Sequence, residues 1–280
     1  HRDLHSFPTR RSSDLRNGTE MPLFGLGVFL SKEGHEVEDA VRVALDTGYR
    51  HIDTAAVYGN ERGVGNAVRR SGIPRKEIFI TSKIWNSDQG YQTTFDAFHE
   101  SIDKLGTDYI DLYLIHWPKG PLSAETWKAM EDIYSKGGVK AIGVSNFLIH
   151  HLDELIPHCS TLPMVNQVEF HPYLQQPELQ EYCRQNGIQM EAWSPIMKGK
   201  VIEIPLLAEL SEKYDKSPVQ ITLRWELQKK IVTIPKSVHA DRIVSNACVF
   251  DFELSDQDME AINRLDRNAR MGSHPDKITF

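Results

Sequence analysis

Three observations predict an α/β fold, a single (β/α)8 TIM barrel, for this 280-residue chain. Short β-rich runs recur at near-constant spacing, segments with helical periodicity lie between them, and the runs are apolar along most of their length, as strands covered on both faces are. The runs are Phe24–Val28, Tyr49–Asp53, Ile78–Ser82, Tyr109–Ile115, Lys140–Val144, Met164–Val168, Ile188–Ala192 and Ile231–Ile234. Their starts stand roughly 25 to 31 residues apart, the length of one βα unit. Only the last gap, from 188 to 231, is longer, and it has room for an additional helix at about 205–214. A second additional helix is expected at about 255–266. A doubly wound open sheet is the alternative, but no G-x-G-x-x-G follows the first run. Gly25 and Gly27 supply only part of that fingerprint, and no helix start comes directly after them.

Taken in order, the elements have local reasons. The first fifteen residues, HRDLHSFPTRRSSDL, carry no usable periodicity and no amphipathic face. Residues 1–16 are therefore expected to be a non-native or disordered extension, and residues 17–280 the barrel domain. Asn17-Gly18 is a turn signal ahead of MPLFGLGVF. Gly48 and Gly187 sit where helices must stop before the next strand. Tyr91, Phe95, Phe98, Ile102 and Leu105 fall on one helical face. After the fourth run a helix is expected to start at Ser123. Ser217-Pro218-Val219-Gln220 combines an N-cap serine, a first-turn proline and a glutamine three residues after the cap.

Composition excludes several classes. The chain is 40% hydrophobic and 25% charged, which is ordinary for a globular protein. The net charge is −7, and residues 1–16 hold four arginines against two aspartates, so the body is more acidic still. Nonspecific nucleic-acid binding needs a basic face and is not expected. No apolar run approaches the roughly 18 residues of a membrane span. Cys159, Cys183 and Cys248 have no metal-ligand spacing, and a reducing, cytoplasmic setting is expected. No heptads or apolar stripe demand association, so a monomer is expected.

In such a barrel the chemistry sits where the strands finish. The second run ends in Asp53, with Tyr58 soon after; the third leads into Lys83 and Trp85; the fourth delivers His116 and Trp117. Ser145 and Asn146, Gln167, Trp193 and Ser194, and Lys236 and Ser237 follow from the later strands. Each alone has a bland reading as a cap, a rim charge or a core aromatic. Asp, Tyr, Lys and His converging on one mouth do not. A lysine ammonium favours a phenolate and so lowers a tyrosine pKa, Asp53 can hold Lys83 charged, and His116 can donate to a substrate oxygen. The set can protonate an oxygen as charge builds on it. It holds no nucleophile and no electron source, so a reducing equivalent must come from a cofactor.

The runs GYRHIDTAAVYGNERGVG, ITSKIW, LYLIHWP, KAIGVSNF, NQVEFHP, AWSP and IPKS together resemble the aldo-keto reductase family over residues 17–280. The resemblance is to the prokaryotic branch that includes glyoxal/methylglyoxal reductases and 2,5-diketo-D-gluconate reductases. It implies NADPH/NADP+ as cofactor and a small-molecule carbonyl as substrate. Tyr58 is implied as general acid, Lys83 and Asp53 as its tuning pair, and His116 as the residue that orients the carbonyl. Ser145, Asn146 and Gln167 are implied to bind the nicotinamide carboxamide, and Trp193 to stack on its ring. Gly27, Val28 and Phe29, with Ser194, Pro195 and Ile196, complete that path. Lys236, Ser237, Val238, Arg242 and Asn246 are implied to hold the 2′-phosphate and adenine end. Ser245 departs from the acidic residue common in the family there, which weakens the adenine contact. Phe29, Trp85, His116 and Trp117 are expected to wall the substrate pocket, and the short loop after His116 and the short tail from about Arg267 favour small carbonyl compounds.

Two other functions are compatible with single features. A nicotinamide-binding barrel without chemistry would not need Asp53, Tyr58, Lys83 and His116 together. A metal-dependent hydrolase using His51, His116, His171 and Asp53 would place Lys83 against its metal, and no metal site is expected.

Overall fold

The computed structural model describes residues 12–278. A hairpin of β1 (Ser12–Asp14) and β2 (Glu20–Pro22) precedes eight strands: β3 (Leu26–Gly27), β4 (His51–Asp53), β5 (Phe79–Ile84), β6 (Ile110–Ile115), β7 (Val139–Ser145), β8 (Val165–Glu169), β9 (Gln189–Trp193) and β10 (Val232–Thr233). Each pairs in parallel with the next, so sheet order follows chain order. Bridges Phe24–Thr233 and Gly27–Lys236 join the two edges and close the barrel. At Gly27 a Cβ would stand 2.9 Å from the Ile234 carbonyl oxygen, so this close approach requires glycine. The eight βα units and the closed ring are those of a (β/α)8 barrel.

The helices are α1 (His35–Thr47), α2 (Glu61–Arg70), α3 (Tyr91–Leu105), α4 (Pro121–Ser135), α5 (Ile149–Leu155), α6 (Pro177–Gln185), α7 (Pro205–Tyr214), α8 (Pro218–Gln228), α9 (Ala240–Ala247) and α10 (Asp256–Asn263). Helices α7 and α10 are the two additions to the eight-unit plan. Gly48 ends α1 at φ 106°, a left-handed stop that an L side chain disfavours. Ser217 caps α8 reciprocally with Gln220. That helix is buried from Gln220 to Leu227, with Trp225 stacked on Phe170 at 5.3 Å and its indole N–H on Asn263. One continuous apolar core joins the strands to the helices around them, including Phe24, Ile52, Val144 and Trp225.

Several expectations need correction. Ser12–Asp14 belongs to the folded body: β1 pairs antiparallel with β2, Leu15 is buried, and Ser13 Oγ donates to Gln189 Oε1 at 2.7 Å. Asn17 Nδ2 donates to the Lys140 carbonyl, so the hairpin covers the N-terminal end of the barrel. A polar strand of three residues leaves no hydrophobic signature to read. Residues 1–11 lie outside the described residues. Helix α4 starts at Pro121 rather than Ser123, whose hydroxyl accepts from the Lys119 N–H. Tyr91 opens α3 but is exposed, its hydroxyl donating to Asp132. Helix α10 ends at Asn263, short of 266. Lys83, Ser145 and Trp193 stand within their strands rather than after them. Cys159, Cys183 and Cys248 are free thiols. Among the described residues no helix is long and apolar enough to cross a membrane.

Candidate active site

Strand alternation sets the site. Successive side chains point to opposite faces, so His51 and Asp53, Thr81 and Lys83, Gln167 and Glu169, and Glu191 and Trp193 each share one side of their strands. Their mutual contacts place that side inside the barrel. Lys83 Nζ donates to Asp53 Oδ1 at 2.7 Å, to the Thr54 carbonyl at 2.9 Å and to Tyr58 Oη at 3.4 Å. The lysine is fully buried. Burial disfavours its charge, but Asp53 and Tyr58 outweigh that and raise its pKa, so Lys83 stays an ammonium.

The tyrosine departs from expectation. Burial among the site's side chains raises the Tyr58 pKa, and Lys83 offsets this only in part. Packing, invisible in the sequence, outweighs the neighbouring charge in the ligand-free protein. His116 is held neutral, its pKa well below the usual value because of burial and then Lys83. Its Nδ1 is buried with no hydrogen-bond partner among the described residues. Its ring lies edge-on to Tyr58 at 5.7 Å and to Trp85 at 5.2 Å. Phe29 packs on Tyr58 at 4.9 Å and is 52% exposed, an apolar wall of the open mouth. Trp117 is buried and stacked beside His116, backing the histidine.

Above this layer, Asn146 Nδ2 donates to the His116 carbonyl and to Ser145 Oγ, while its Oδ1 accepts from Trp193 Nε1 at 2.8 Å. The indole is thereby fixed at the mouth. Asn146 and Ser194 both hold positive φ, 64° and 56°, directly after β7 and β9. Such backbone is sparsely populated for non-glycine residues and clusters at functional sites. Gln167 Nε2 donates to Asp53 Oδ2 at 2.7 Å and to Glu191 Oε2 at 2.9 Å. Ser145, Pro195 and Val28 are buried; Ser194 and Ile196 are half-buried.

The residues expected at the phosphate end begin at the β3–β10 seam, where Lys236 bridges Gly27. Lys236 and Arg242 are exposed, and neither is paired with an acid among the described residues. Ser237 is buried, and its Oγ accepts from the His239 N–H. Arg242 sits in the first turn of α9, whose N-terminal amides favour an anion. Two exposed cations beside a helix N-terminus fit a phosphate. Val238 is half-buried and Asn246 buried.

Three features escaped the sequence reading. Glu191 is a fully buried carboxyl two residues below Trp193; a charge inside an apolar strand was the available signal. Asn60 donates to the Val28 and Ser31 carbonyls and accepts from Thr54 Oγ1, tying the loop that carries Phe29 to the turn that carries Tyr58. Glu169 accepts from the Met271 and Gly272 N–H groups and contacts His171, so the tail is clasped over the site. A Cβ on Gly272 would stand 2.4 Å from the Trp193 ring.

The histidines of the metal alternative do not gather. His51 Nε2 pairs with Thr81 Oγ1 and His171 with Glu169. The grouping of metal-ligating types among the described residues is His150, His151 and Asp276. There, His151 Nδ1 accepts the Leu148 N–H, so its Nε2 carries the proton directed at Asp276, and the set ties the tail to α5.

A closed barrel with a buried lysine–aspartate pair beneath a tyrosine and a neutral histidine fits a cofactor-dependent oxidoreductase. The aldo/keto reductase family model matches residues 24–267, and the chain belongs to that family. It is 53% identical to glyoxal reductase of Bacillus subtilis over 95% of this chain and 96% of that protein. It is 43% identical to methylglyoxal reductase DkgA of Escherichia coli over 94% of this chain and 96% of that protein. A solved structure of a Gox0644 aspartate-to-alanine mutant in complex with NADPH matches with a TM-score of 0.92 and 39% identity, covering 97% of this chain and 99% of that one.

Proposed function

We propose that this protein reduces small aldehydes and ketones to alcohols with NADPH, taking glyoxal- or methylglyoxal-type α-dicarbonyls or sugar-derived ketones, and that Tyr58 is the proton donor. The observation that carries this reading is the Tyr58 hydroxyl 3.4 Å from an ammonium that Asp53 fixes at 2.7 Å. The named activities of the two bacterial relatives support the substrate class.

Bound NADPH supplies the hydride. Lys236, Ser237 and Arg242 would hold its 2′-phosphate, Asn146 and Ser145 its carboxamide end, and Trp193 its ring. Tyr58 meets the substrate oxygen and gives up its proton as negative charge builds there. Lys83 stabilises the phenolate left behind, which is a charge-assisted interaction in a site of low dielectric. Asp53 and the Thr54 carbonyl keep the ammonium aimed. His116, being neutral, donates a hydrogen bond to the same oxygen without competing as a charged acid. Phe29 and Trp85 exclude water from the mouth.

The test is NADPH oxidation followed at its near-ultraviolet absorbance with methylglyoxal, with NADH in parallel. Turnover with NADPH and little with NADH is expected. Equal rates would remove the phosphate role of Lys236 and Arg242, and no turnover across a panel of small carbonyl compounds would overturn the reductase reading.

A further inference from the structure

Beneath the catalytic layer lies a carboxyl that the mechanism above does not use. Glu191 on β9 is wholly buried, and its Oε2 accepts from Gln167 Nε2 at 2.9 Å. The same nitrogen donates to Asp53 Oδ2 at 2.7 Å. One amide therefore bridges two carboxyl groups, using one N–H for each. Glu191 Oε1 has no hydrogen-bond partner among the described residues and lies 3.6 Å from His51 Nε2.

The charges around it are few. From β4 come His51 and Asp53, from β5 Lys83 with the uncharged Thr81, from β8 Gln167, and from the turn after β4 Tyr58. On its other side β10 sets Val232 beside it. Burial keeps His51 neutral, its pKa lowered to about 3. Among the described residues Lys83 is then the single cation facing two carboxyl groups, and Asp53 holds it directly. A second buried carboxylate has no counter-charge of its own, so Glu191 carries its proton at neutral pH. Burial, and then Asp53, push its pKa to about 8.

We propose that Glu191 is a positioning residue for proton donation: it fixes Gln167 and Asp53 in place and, by its charge state, sets how readily Tyr58 releases its proton. When Glu191 ionises, a negative charge joins Asp53 under Lys83. The phenolate becomes less favourable and Tyr58 holds its proton more tightly. Reduction slows on the alkaline side as Glu191 ionises. This rests on Tyr58 being the proton donor.

The test is the pH dependence of kcat/KM for NADPH-dependent methylglyoxal reduction by the wild type and Glu191→Gln. Glutamine keeps the volume and the acceptor for Gln167 but does not ionise. Wild type is expected to lose activity with an inflection near pH 8. Glu191→Gln is expected to stay within about twofold of wild type at pH 6.5 and to lack that inflection. Superimposed profiles overturn the assignment of Glu191 alone, as does a loss in the variant that is equal at every pH. A wild-type profile flat from pH 7 to about 9.5 also overturns it, whether or not the variant folds. Absence of carbonyl-dependent turnover by the wild type at any pH overturns the functional reading, and this inference with it.

Discussion

Tyr58 and Lys83 touch at 3.4 Å, yet their removal should have different signatures. Tyr58→Phe keeps the ring packed on Phe29 and deletes only the hydroxyl. It is expected to lower kcat for reduction by roughly 10²–10⁴ while NADPH affinity, read by fluorescence titration, stays within about twofold. Lys83→Met also inactivates, but it leaves Asp53 buried without its partner. Breaking one side of a buried pair costs about 3–5 kcal/mol, so this variant should lose several degrees in Tm where Tyr58→Phe does not. At the rim, Lys236→Ala and Arg242→Ala each remove an exposed cation that no acid among the described residues holds. Each is expected to raise the KM for NADPH by roughly 10- to 100-fold and leave that for NADH unchanged, the size of one charged hydrogen bond. The identities of these residues were legible because polar side chains at strand ends have few other reasons to recur. The direction of the Tyr58 shift was not, because burial is a property of packing and outweighs the lysine that the sequence displays. Glu191 was missed for a related reason: attention to strand ends overlooks a charge two residues inside one.

The tail after α10 shows how a short element reaches chemistry. The Glu169 clasp holds Met271 and Gly272 and sets Gly272 against the edge of Trp193. Gly272→Val forces either the indole or the tail to move. It is expected to raise the KM for cofactor and carbonyl together by roughly tenfold with little change in Tm, since displacement of about 1 Å near a reacting centre is costly while the core is untouched. The α8 cap gives the opposite pattern: Ser217→Ala should cost about 1 kcal/mol of unfolding free energy by denaturant titration and leave both KM values alone. Among the elements, the central strands were the most legible, because β5 to β9 each run for five to seven residues. β3 and β10 shrink to two residues each, for the ladder there reduces to isolated bridges. β1 carries only Ser, Ser and Asp and owes its place to pairing with β2, a tertiary cause that a window of sequence does not contain.

For the molecule as a whole, those two short strands are the thinnest part of the ring. The seam is closed by the Gly25 N–H on the Thr233 carbonyl, the Gly27 N–H on Pro235 and the Thr233 N–H on Leu23. The residues assigned to the cofactor stand on both of its lips, Gly27 to Phe29 on one and Lys236 to Arg242 on the other. NADPH is thus expected to act as a strut across the opening. Amide hydrogen exchange at Gly25, Gly27 and Thr233 should be fast in the free protein and slow on adding NADPH, while β5 and β6 amides stay unchanged. At a hundredfold excess over Kd the strut adds about 2.7 kcal/mol against global unfolding. Protease resistance and heat tolerance would then track the supply of reduced cofactor, so that the protein lasts longest when the reductant it consumes is abundant.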